Sequence, residues 1–129
     1  MSELRWITSI TPRNEPYVVI DKHLRIYFSI TSQELLGLNR GSRFVHLGYD
    51  HANKRLIIAP ANVVRPANVK PHRVDKRGYT SARPFIRQLG INESELPLKY
   101  DYIGKDYTDY PQGSFAFQLE NYDKDDGRL

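Results

Sequence analysis

A change of hydrophobic period that occurs twice along the chain is the feature that most limits its possible folds. Residues 17–41 read YVVIDKHLRIYFSITSQELLGLNRG, in which apolar positions alternate as far as Phe28 and a short helical run then ends at Gly37. β-branched and aromatic residues at every second position are typical of strands, and Ser29 or Thr31 can cap a helix that begins after them. The segment therefore predicts a strand pair followed by a short helix and a glycine turn.

A β-hairpin is expected after each of two such segments. Residues 43–49 and 54–61 have strand-like hydrophobicity on either side of a polar loop, which predicts the first hairpin. Residues 97–103 and 114–120 have strand-like hydrophobicity on either side of the loop 105–113, which predicts the second hairpin. The order of strand pair, helix and hairpin is thus expected twice.

Short motifs support this internal repeat. Ile20-Asp21-Lys22 is echoed by Val74-Asp75-Lys76, and Leu36-Gly37-Leu38 by Leu89-Gly90-Ile91. So short a repeat cannot bury its own apolar face, and we expect the two copies to pack on each other around a shared core. The expected organisation is one domain with repeats at 17–61 and 72–120, a linker at 62–71 and a flexible tail at 121–129.

The sequence resembles a known family at four short motifs, which are Arg25-Ile26-x-Phe28-Ser29-Ile30, Leu36-Gly37-Leu38, Gly41-Ser42-x-Phe44 and Arg55-Leu56-Ile57-Ile58. They are similar to the AbrB-type swapped-hairpin half-barrel shared by transition-state regulators, MazE-type antitoxins and MraZ proteins. The resemblance covers residues 17–60 well and 72–120 loosely. It implies a mainly β fold, a small pseudo-twofold swapped-hairpin β-barrel with two short helices, made within one chain and used to bind DNA.

The match departs from the family pattern at several positions. The glycine and proline usual around the family's arginine are replaced by Leu24 and Ser29, and in the second copy by Arg77 and Ala82. The basic pair that many members carry on the short helix falls on Gln33 and Glu34, and in the second copy on Ile86 and Arg87. The resemblance therefore implies that the second half carries more of any DNA contact.

Charge is distributed unevenly along the chain. Residues 1–90 hold 15 of the 19 Lys and Arg but only 6 of the 15 Asp and Glu. Such a basic region favours a polyanionic partner, although a merely solvated surface would look the same in sequence. Together with the resemblance, it selects as candidate DNA-binding residues Lys22, His23, Arg25, Arg73, Lys76, Arg77, Arg83 and Arg87. An ion pair with Glu93 or Glu95 is the plain alternative for Arg87.

An acidic, tyrosine-rich stretch supports a second hypothesis. KYDYIGKDYTDYPQG, at 99–113, places Tyr100, Tyr102, Tyr107 and Tyr110 among aspartates. These tyrosines could pack partly against the barrel in an amphipathic hairpin, or they could contact another protein. The alternative function is a non-enzymatic protein-binding module or inhibitor, of the kind that mobile elements sometimes encode.

Other classes of function find little support in the sequence. There are no cysteines, the four histidines lack metal-ligand spacing, and no catalytic glycine, serine or histidine motif occurs. Asp21 and Asp75 are expected to cap backbone amides of turns rather than transfer protons. We expect a cytoplasmic DNA-binding protein without enzymatic activity, metal, cofactor or membrane segment, either a monomer with internal pseudo-symmetry or a homodimer.

Overall fold

The fold was analysed in a computed structural model, which describes residues 4, 6 and 15–122. Most of the predicted tail, from residue 123 onward, lies outside the described residues. The predicted hairpins and helices are all present. The elements in chain order are β1 (Tyr17–Ile20), β2 (Arg25–Phe28), α1 (Ile30–Leu35), β3 (Phe44–Asp50), β4 (Arg55–Pro60), β5 (His72–Arg73), β6 (Tyr79–Ser81), α2 (Arg83–Leu89), a 3-10 turn (Glu93–Glu95), β7 (Leu98–Lys105) and β8 (Phe115–Leu119).

The eight strands form one antiparallel sheet that curls into a nearly closed barrel. Their spatial order is β5-β3-β4-β8-β7-β1-β2-β6. The two outer strands of this order, β5 and β6, follow each other in the chain and meet through a backbone hydrogen bond from Asp75 N to Tyr79 O, at 2.9 Å. The prediction of a small, mainly β barrel with two short helices is confirmed.

Strands from residues 17–61 interleave with strands from residues 72–120. Hairpin β3–β4 is held between β5 and β8, while hairpin β7–β8 is held between β4 and β1. The remaining strand pair that joins the two halves is β2 with β6. Each half therefore completes its sheet with strands of the other half, which leaves few unpaired strand edges exposed.

The turns that precede β2 and β6 show how closely the two halves correspond. Strands β2 and β6 pair around Ile26 and Thr80, and the flanking hydrogen bonds are reciprocal. Phe28 N donates to Gly78 O at 2.7 Å, and Ala82 N donates to Leu24 O at 2.9 Å. The residue that precedes each strand has a positive φ, which is +61° at Leu24 before β2 and +93° at Gly78 before β6. Gly78, and not Arg77 as the sequence spacing indicated, is therefore the equivalent of Leu24.

The two short helices begin and end in different ways. Ser29 is the N-cap of α1 and accepts a hydrogen bond from Ser32 N at 3.1 Å, which confirms one of the two predicted caps. Helix α2 begins at Ala82 without a side-chain cap and has Pro84 in its first turn. It ends at Gly90, whose φ of +69° lies in the left-handed region that glycine adopts without steric cost.

The core lies inside the barrel and consists of the inward-facing side chains of the strands. Tyr100 and Phe117 are the largest fully buried side chains of β7 and β8. Their neighbours from the first half and from α2 include Val18, Ile20, Ile26, Phe28, Val45, Leu56, Ile58, Phe85 and Ile86. Because both halves contribute, burial of this apolar surface stabilises the halves only when they are together.

The guanidinium of Arg43 links the two halves through backbone groups. Its Nε donates to Val74 O at 2.8 Å, Nη1 to Leu38 O at 3.1 Å and Asn39 Oδ1 at 3.4 Å, and Nη2 to Gln33 Oε1 at 3.2 Å and to Asp75 O. Five acceptors match the five N–H groups of a guanidinium. Arg43 is thus a structural residue that fixes α1 against the second half.

Gln33 extends this contact to the β2–β6 pair. The side chain is buried, and its Nε2 donates to Phe28 O at 3.0 Å. A Cβ at Gly78 would lie 2.5 Å from that nitrogen and 2.7 Å from Phe28 O, so only glycine fits there. Gln33 therefore occupies the position where a basic residue was expected from the family pattern because it serves the interior.

Replacing Arg43 tests this connection. In Arg43→Ala the carbonyls of Leu38, Val74 and Asp75 lose a charged donor, and we expect unfolding free energy to fall by about 3 kcal/mol. Urea denaturation followed by circular dichroism measures the change. Arg40→Ala removes an exposed arginine of the same loop and should change stability by less than about 0.5 kcal/mol. Equal losses in the two variants would contradict the assignment.

A second test concerns the space at Gly78. Gly78→Ala combines an unfavourable positive φ with a clash against backbone, so we expect a loss of about 3 kcal/mol in unfolding free energy. Gly41→Ala is the matched control, because no atom lies within 4 Å of the position that its Cβ would take and its φ is not positive. Thermal denaturation of both variants decides the matter, and a Gly78→Ala protein as stable as the control would refute the close approach.

Candidate nucleic-acid interface

Two turns with the same hydrogen-bond pattern hold basic residues beside β2 and β6. In the first turn, Asp21 Oδ1 accepts from the backbone N of His23 at 2.9 Å and of Arg25 at 3.0 Å. In the second, Asp75 Oδ1 accepts from the two equivalent amides at 2.9 Å each. The prediction that both aspartates cap turns is confirmed, and each turn is fixed from within.

These capped turns leave their basic side chains in solvent. Lys22, His23, Lys76 and Arg77 are all exposed. Within residues 15–122, none of the four forms an ion pair with an acidic side chain. Hydrogen bonds from the Tyr79 backbone first, and from Arg77 as well, lower the pKa of the Asp75 carboxyl, so this cap stays ionised at neutral pH.

A row of tyrosines crosses the outer surface between the turns. Tyr17 on β1 and Tyr27 on β2 alternate with buried neighbours and face outward. Tyr79 on β6 is the direct strand partner of Tyr27 and lies on the same face. Ring centroids are 6.3 Å apart between Tyr17 and Tyr27 and 5.0 Å apart between Tyr27 and Tyr79. We call these three residues the tyrosine stripe. It gives the face an aromatic surface that runs across three strands.

Cations lie over both ends of the tyrosine stripe. The Cζ atoms of Arg25 and Arg77 are 4.4 Å and 5.4 Å from the ring centroid of Tyr79. At the other end, Lys99 Nζ lies 4.9 Å from the centroid of Tyr17. Contacts of this kind attract a cation to the ring face and orient it while leaving it charged.

The two ends of the stripe differ in net charge. Lys99 lies 3.8 Å from an Asp101 oxygen and 3.6 Å from a Glu120 oxygen, so its charge is balanced by acids. Among residues 15–122, Arg25 forms an ion pair with one acid, Asp21, which lies 3.0 Å from Nε. Since the capped turns add unpaired basic residues only at the β2–β6 end, the positive potential is centred there.

Tyr27 lies at the centre of the stripe and stays uncharged. Burial is the main cause that raises the pKa of its hydroxyl, followed by the neighbouring hydroxyls of Tyr17 and Tyr79. A neutral phenol adds no negative charge to the face at physiological pH. The stripe is therefore compatible with an anionic partner.

The other predicted arginines lie around this face. Arg83 is the first residue of α2, next to the first turn because Ala82 bonds to Leu24 O. Arg73 is exposed on β5, just before the second turn. Arg87 is exposed in the last turn of α2, about 6 Å further along the helix than Arg83. No ion pair from Arg87 to Glu93 or Glu95 is found within residues 15–122.

The structure brings together five of the eight predicted basic residues. It adds three tyrosines and one lysine that were not predicted. The five are Lys22, His23, Arg25, Lys76 and Arg77, and the four are Tyr17, Tyr27, Tyr79 and Lys99. The sequence did contain a signal for the tyrosines, because each stands one position from a buried apolar or small residue in a strand-like segment. Their convergence, however, depends on which strands become neighbours.

Two of the four tyrosines of the second hypothesis pack in the core or against it. Tyr100 is fully buried in the core, where its hydroxyl lies 3.2 Å from that of Tyr49. Its side chain is therefore unavailable to a partner. Tyr102 is half-buried and packs against Phe117 at a centroid distance of 5.4 Å and against Phe115 at 6.3 Å.

Tyr107 and Tyr110 lie together on the loop between β7 and β8. Their ring centroids are 5.8 Å apart, and Arg55 Cζ lies 5.3 Å from the Tyr107 ring. The Tyr110 hydroxyl donates to Asp50 Oδ2, which also accepts from Asn53 Nδ2 at 2.7 Å. Those two hydrogen bonds, that of Tyr110 first, lower the pKa of Asp50 to about 2.

Neither a metal centre nor a membrane helix is found in the described part of the chain. Within residues 4, 6 and 15–122, no three His, Asp or Glu side chains are grouped so that they could hold a metal ion. The helices in the same residues are too short and too polar to span a bilayer.

Comparison with known proteins gives no identification. No family model matches the chain, and neither a curated protein nor a solved structure matches it. The candidate interface therefore stands on its own geometry.

The Asp50–Tyr110 hydrogen bond predicts a specific dependence of stability on pH. Because the folded-state pKa is lowered from 3.8 to about 2, this carboxylate stabilises the fold above pH 4, and the stabilisation is lost as the pH falls toward 2. Tyr110→Phe removes the leading cause of the shift. We expect it to lower stability at pH 7 and to flatten the loss between pH 4 and 2.

Urea denaturation at pH 7, 4, 3 and 2 measures this effect. Tyr107→Phe is the control, because it removes a hydroxyl that donates to the Ile103 carbonyl instead of to a carboxylate. That variant should keep the wild-type slope. A Tyr110→Phe protein with an unchanged slope would show that the hydrogen bond contributes nothing to acid unfolding.

Proposed function

We propose that the protein binds double-stranded DNA through the outer face of β1, β2 and β6 and acts as a transcriptional regulator of AbrB-like type. The observation that carries the proposal is the position of the two Asp-capped turns. They present Lys22 with His23, and Lys76 with Arg77, on either side of the same strand pair. Rigid turns with unpaired cations on one face suit contact with phosphates.

The distance between the turns fits a duplex. Leu24, at the end of the first turn, is opposite Ala82, and Gly78, at the end of the second, is opposite Phe28. Four residue steps along β2 separate these positions, which corresponds to about 13 Å. The major groove of B-DNA is about 12 Å wide, so the turns could approach the backbones on its two sides.

Residues between the turns would then face the groove. Arg25 uses only Nε for its bond to Asp21, which leaves its Nη groups for phosphate or for the acceptor edge of a guanine. The ring of Tyr79 orients this guanidinium at 4.4 Å. Arg73 and Arg83 flank the face and would add contacts to the phosphate backbone.

The resemblance to AbrB-type proteins and the distribution of charge both support DNA as the partner. The motifs in residues 17–60 are similar to those of AbrB-type proteins, and the basic residues of 1–90 include both turns. Internal pseudo-symmetry would let a single chain meet a duplex as a symmetric dimer does. Binding to chromosomal DNA in a bacterial-type regulator would place the protein in the cytoplasm.

The protein-binding alternative rests on fewer residues. Tyr107 and Tyr110 share a loop with Asp106 and Asp109, and such an acidic aromatic loop would repel DNA but could contact a protein. Absence of DNA binding even at low salt would favour this alternative, in which the barrel serves as a scaffold for the loop.

A salt titration of binding to random duplex DNA tests the proposal. The logarithm of affinity should fall linearly with the logarithm of salt, and the slope loses about 0.9 for each phosphate contact removed. Lys76→Ala with Arg77→Ala should therefore reduce the slope by about 2. Arg65→Ala with Lys70→Ala, in the exposed linker, removes the same charge and should leave the slope nearly unchanged. Equal effects of the two double variants would show that binding depends only on net charge, which would contradict the proposed interface.

A further inference from the structure

The tyrosine stripe belongs to a row of strand partners that crosses four strands. Tyr79 on β6 is opposite Tyr27 on β2. Tyr27 is in turn opposite Val19 on β1, which is opposite Lys99 on β7. All four side chains are half-buried, and directly paired residues share one face of a sheet. Because adjacent strands are about 4.8 Å apart, the row forms an outer platform about 14 Å long.

Tyr27 is the ring of the stripe that is left open. The ring of Tyr79 has Arg25 and Arg77 over it, and the ring of Tyr17 has a lysine. Within residues 15–122, no cation lies over Tyr27. The two neighbouring rings are tilted against it by 56° and 44°, so neither lies flat on its face. An uncharged aromatic surface is thus flanked by positive charge.

A paired duplex leaves this open ring without a role. In a duplex the bases present only their edges to a protein, in the two grooves. An aromatic ring binds a base by stacking, and stacking requires a base that is unpaired and turned out. The cations of this face suit any nucleic acid, whereas the row of rings suits a single strand.

The spacing of the rings also fits a single strand. Successive phosphates on one strand of a duplex are about 3.4 Å apart along its axis. The ring centroids of the stripe are 5.0 Å and 6.3 Å apart. A strand that follows the stripe with one base to a ring is therefore extended relative to the duplex, as unpaired strands are when their bases are splayed onto aromatic side chains.

Charge determines which end of the stripe meets the phosphates. Asp101 is the strand partner of Tyr17, and Glu120 lies in the same acidic group around Lys99. This end disfavours phosphate. At the β2–β6 end, Arg25 and Arg77 lie over a ring and keep N–H groups for phosphate oxygens, and a guanidinium plane can itself stack on a base.

We propose that this face binds an unpaired segment of nucleic acid, with one base stacked on Tyr27 and the flanking phosphates held by Arg25 and Arg77. The inference rests on the proposed function for one point, which is that this face meets nucleic acid. It adds a second class of ligand, strands with unpaired bases, whose chemistry single-stranded DNA and RNA share. Stacking accepts every base, so we expect little sequence preference.

Two oligomers of equal charge test for stacking. A thymidine DNA oligomer of about ten nucleotides, within the range of known site sizes, and an abasic oligomer of the same length carry the same phosphates, but only the first has bases. Fluorescence anisotropy of end-labelled strands measures both affinities. We expect the thymidine oligomer to bind about tenfold tighter. A uridine RNA oligomer should also bind tighter than the abasic chain, and its affinity relative to thymidine assigns the preferred strand to RNA or DNA.

Variants of one tyrosine locate the effect. Tyr27→Leu keeps an apolar side chain without the ring and should abolish the preference for bases, whereas Tyr27→Phe keeps the ring and should retain it. Tyr107→Leu is the matched control, because Tyr107 is a half-buried tyrosine beside Arg55 on the β7–β8 loop, outside the stripe. Since stacking is not an ionic contact, the loss in Tyr27→Leu should be the same at low and moderate salt. Amide spectra of the free variants establish that each is folded.

Four results would overturn the proposal. Two of them are equal affinity for the thymidine and abasic oligomers and an unchanged preference in Tyr27→Leu. The third is absence of binding by either oligomer at low salt, which would leave the stripe to a protein partner. The fourth is a set of concentration-dependent shifts of the Tyr27 signals without any oligomer, which would assign the stripe to a second copy of the chain.

Failure of this inference and failure of the proposed function give different results. Salt-dependent duplex binding together with equal affinities for the two oligomers would keep the proposed function and reject stacking on Tyr27. Selective binding of the thymidine oligomer without duplex binding would reject the proposed function and keep the stacking.

Discussion

The pairing of strands across the two halves is the constraint on which the other features of this structure depend. Within residues 15–122, four of the seven strand pairs join a strand of residues 17–61 to one of residues 72–120. Neither hairpin can therefore complete its hydrogen bonding or bury its apolar face without the other half. Loss of strand pairing and loss of core burial would occur together, as expected for one cooperative unit.

Interleaving also decides where the surface features lie. Because β2 pairs with β6, two turns that are 54 residues apart in the chain, at Asp21 and Asp75, border one face. Because β3–β4 is inserted between β5 and β8, the linker must cross the outside of that hairpin to reach β5. The basic face and the course of the linker are thus separate consequences of one topology.

Local structure was predictable from sequence because its signals are local. Each signal affects residues only a few positions away in the chain. These signals are the alternation of apolar residues, the Ser29 cap, the two turn aspartates and the glycines at 37 and 90. Hydrophobic alternation also limits the register, since a shift by one residue would turn the apolar side chains outward.

Features that depend on distant partners were missed. Arg43 looks like a surface arginine until β5 places Val74 O beside it, 31 positions later. Tyr100 belongs to a polar, acidic stretch, yet its position opposite Val18 turns it into the core. Gly78, rather than Arg77, corresponds to Leu24 because the second half has one residue fewer between its turn and its helix. Short motifs do not reveal this deletion.

Native-state hydrogen exchange at increasing urea concentration tests the interleaved barrel most directly. The amides to compare are those of β1 and β4 in the first half with those of β7 and β8 in the second. If the halves complete each other, these amides share one opening free energy and one dependence on urea. Separate exchange of β7 and β8 at a lower free energy, with β1 and β4 still protected, would contradict the account.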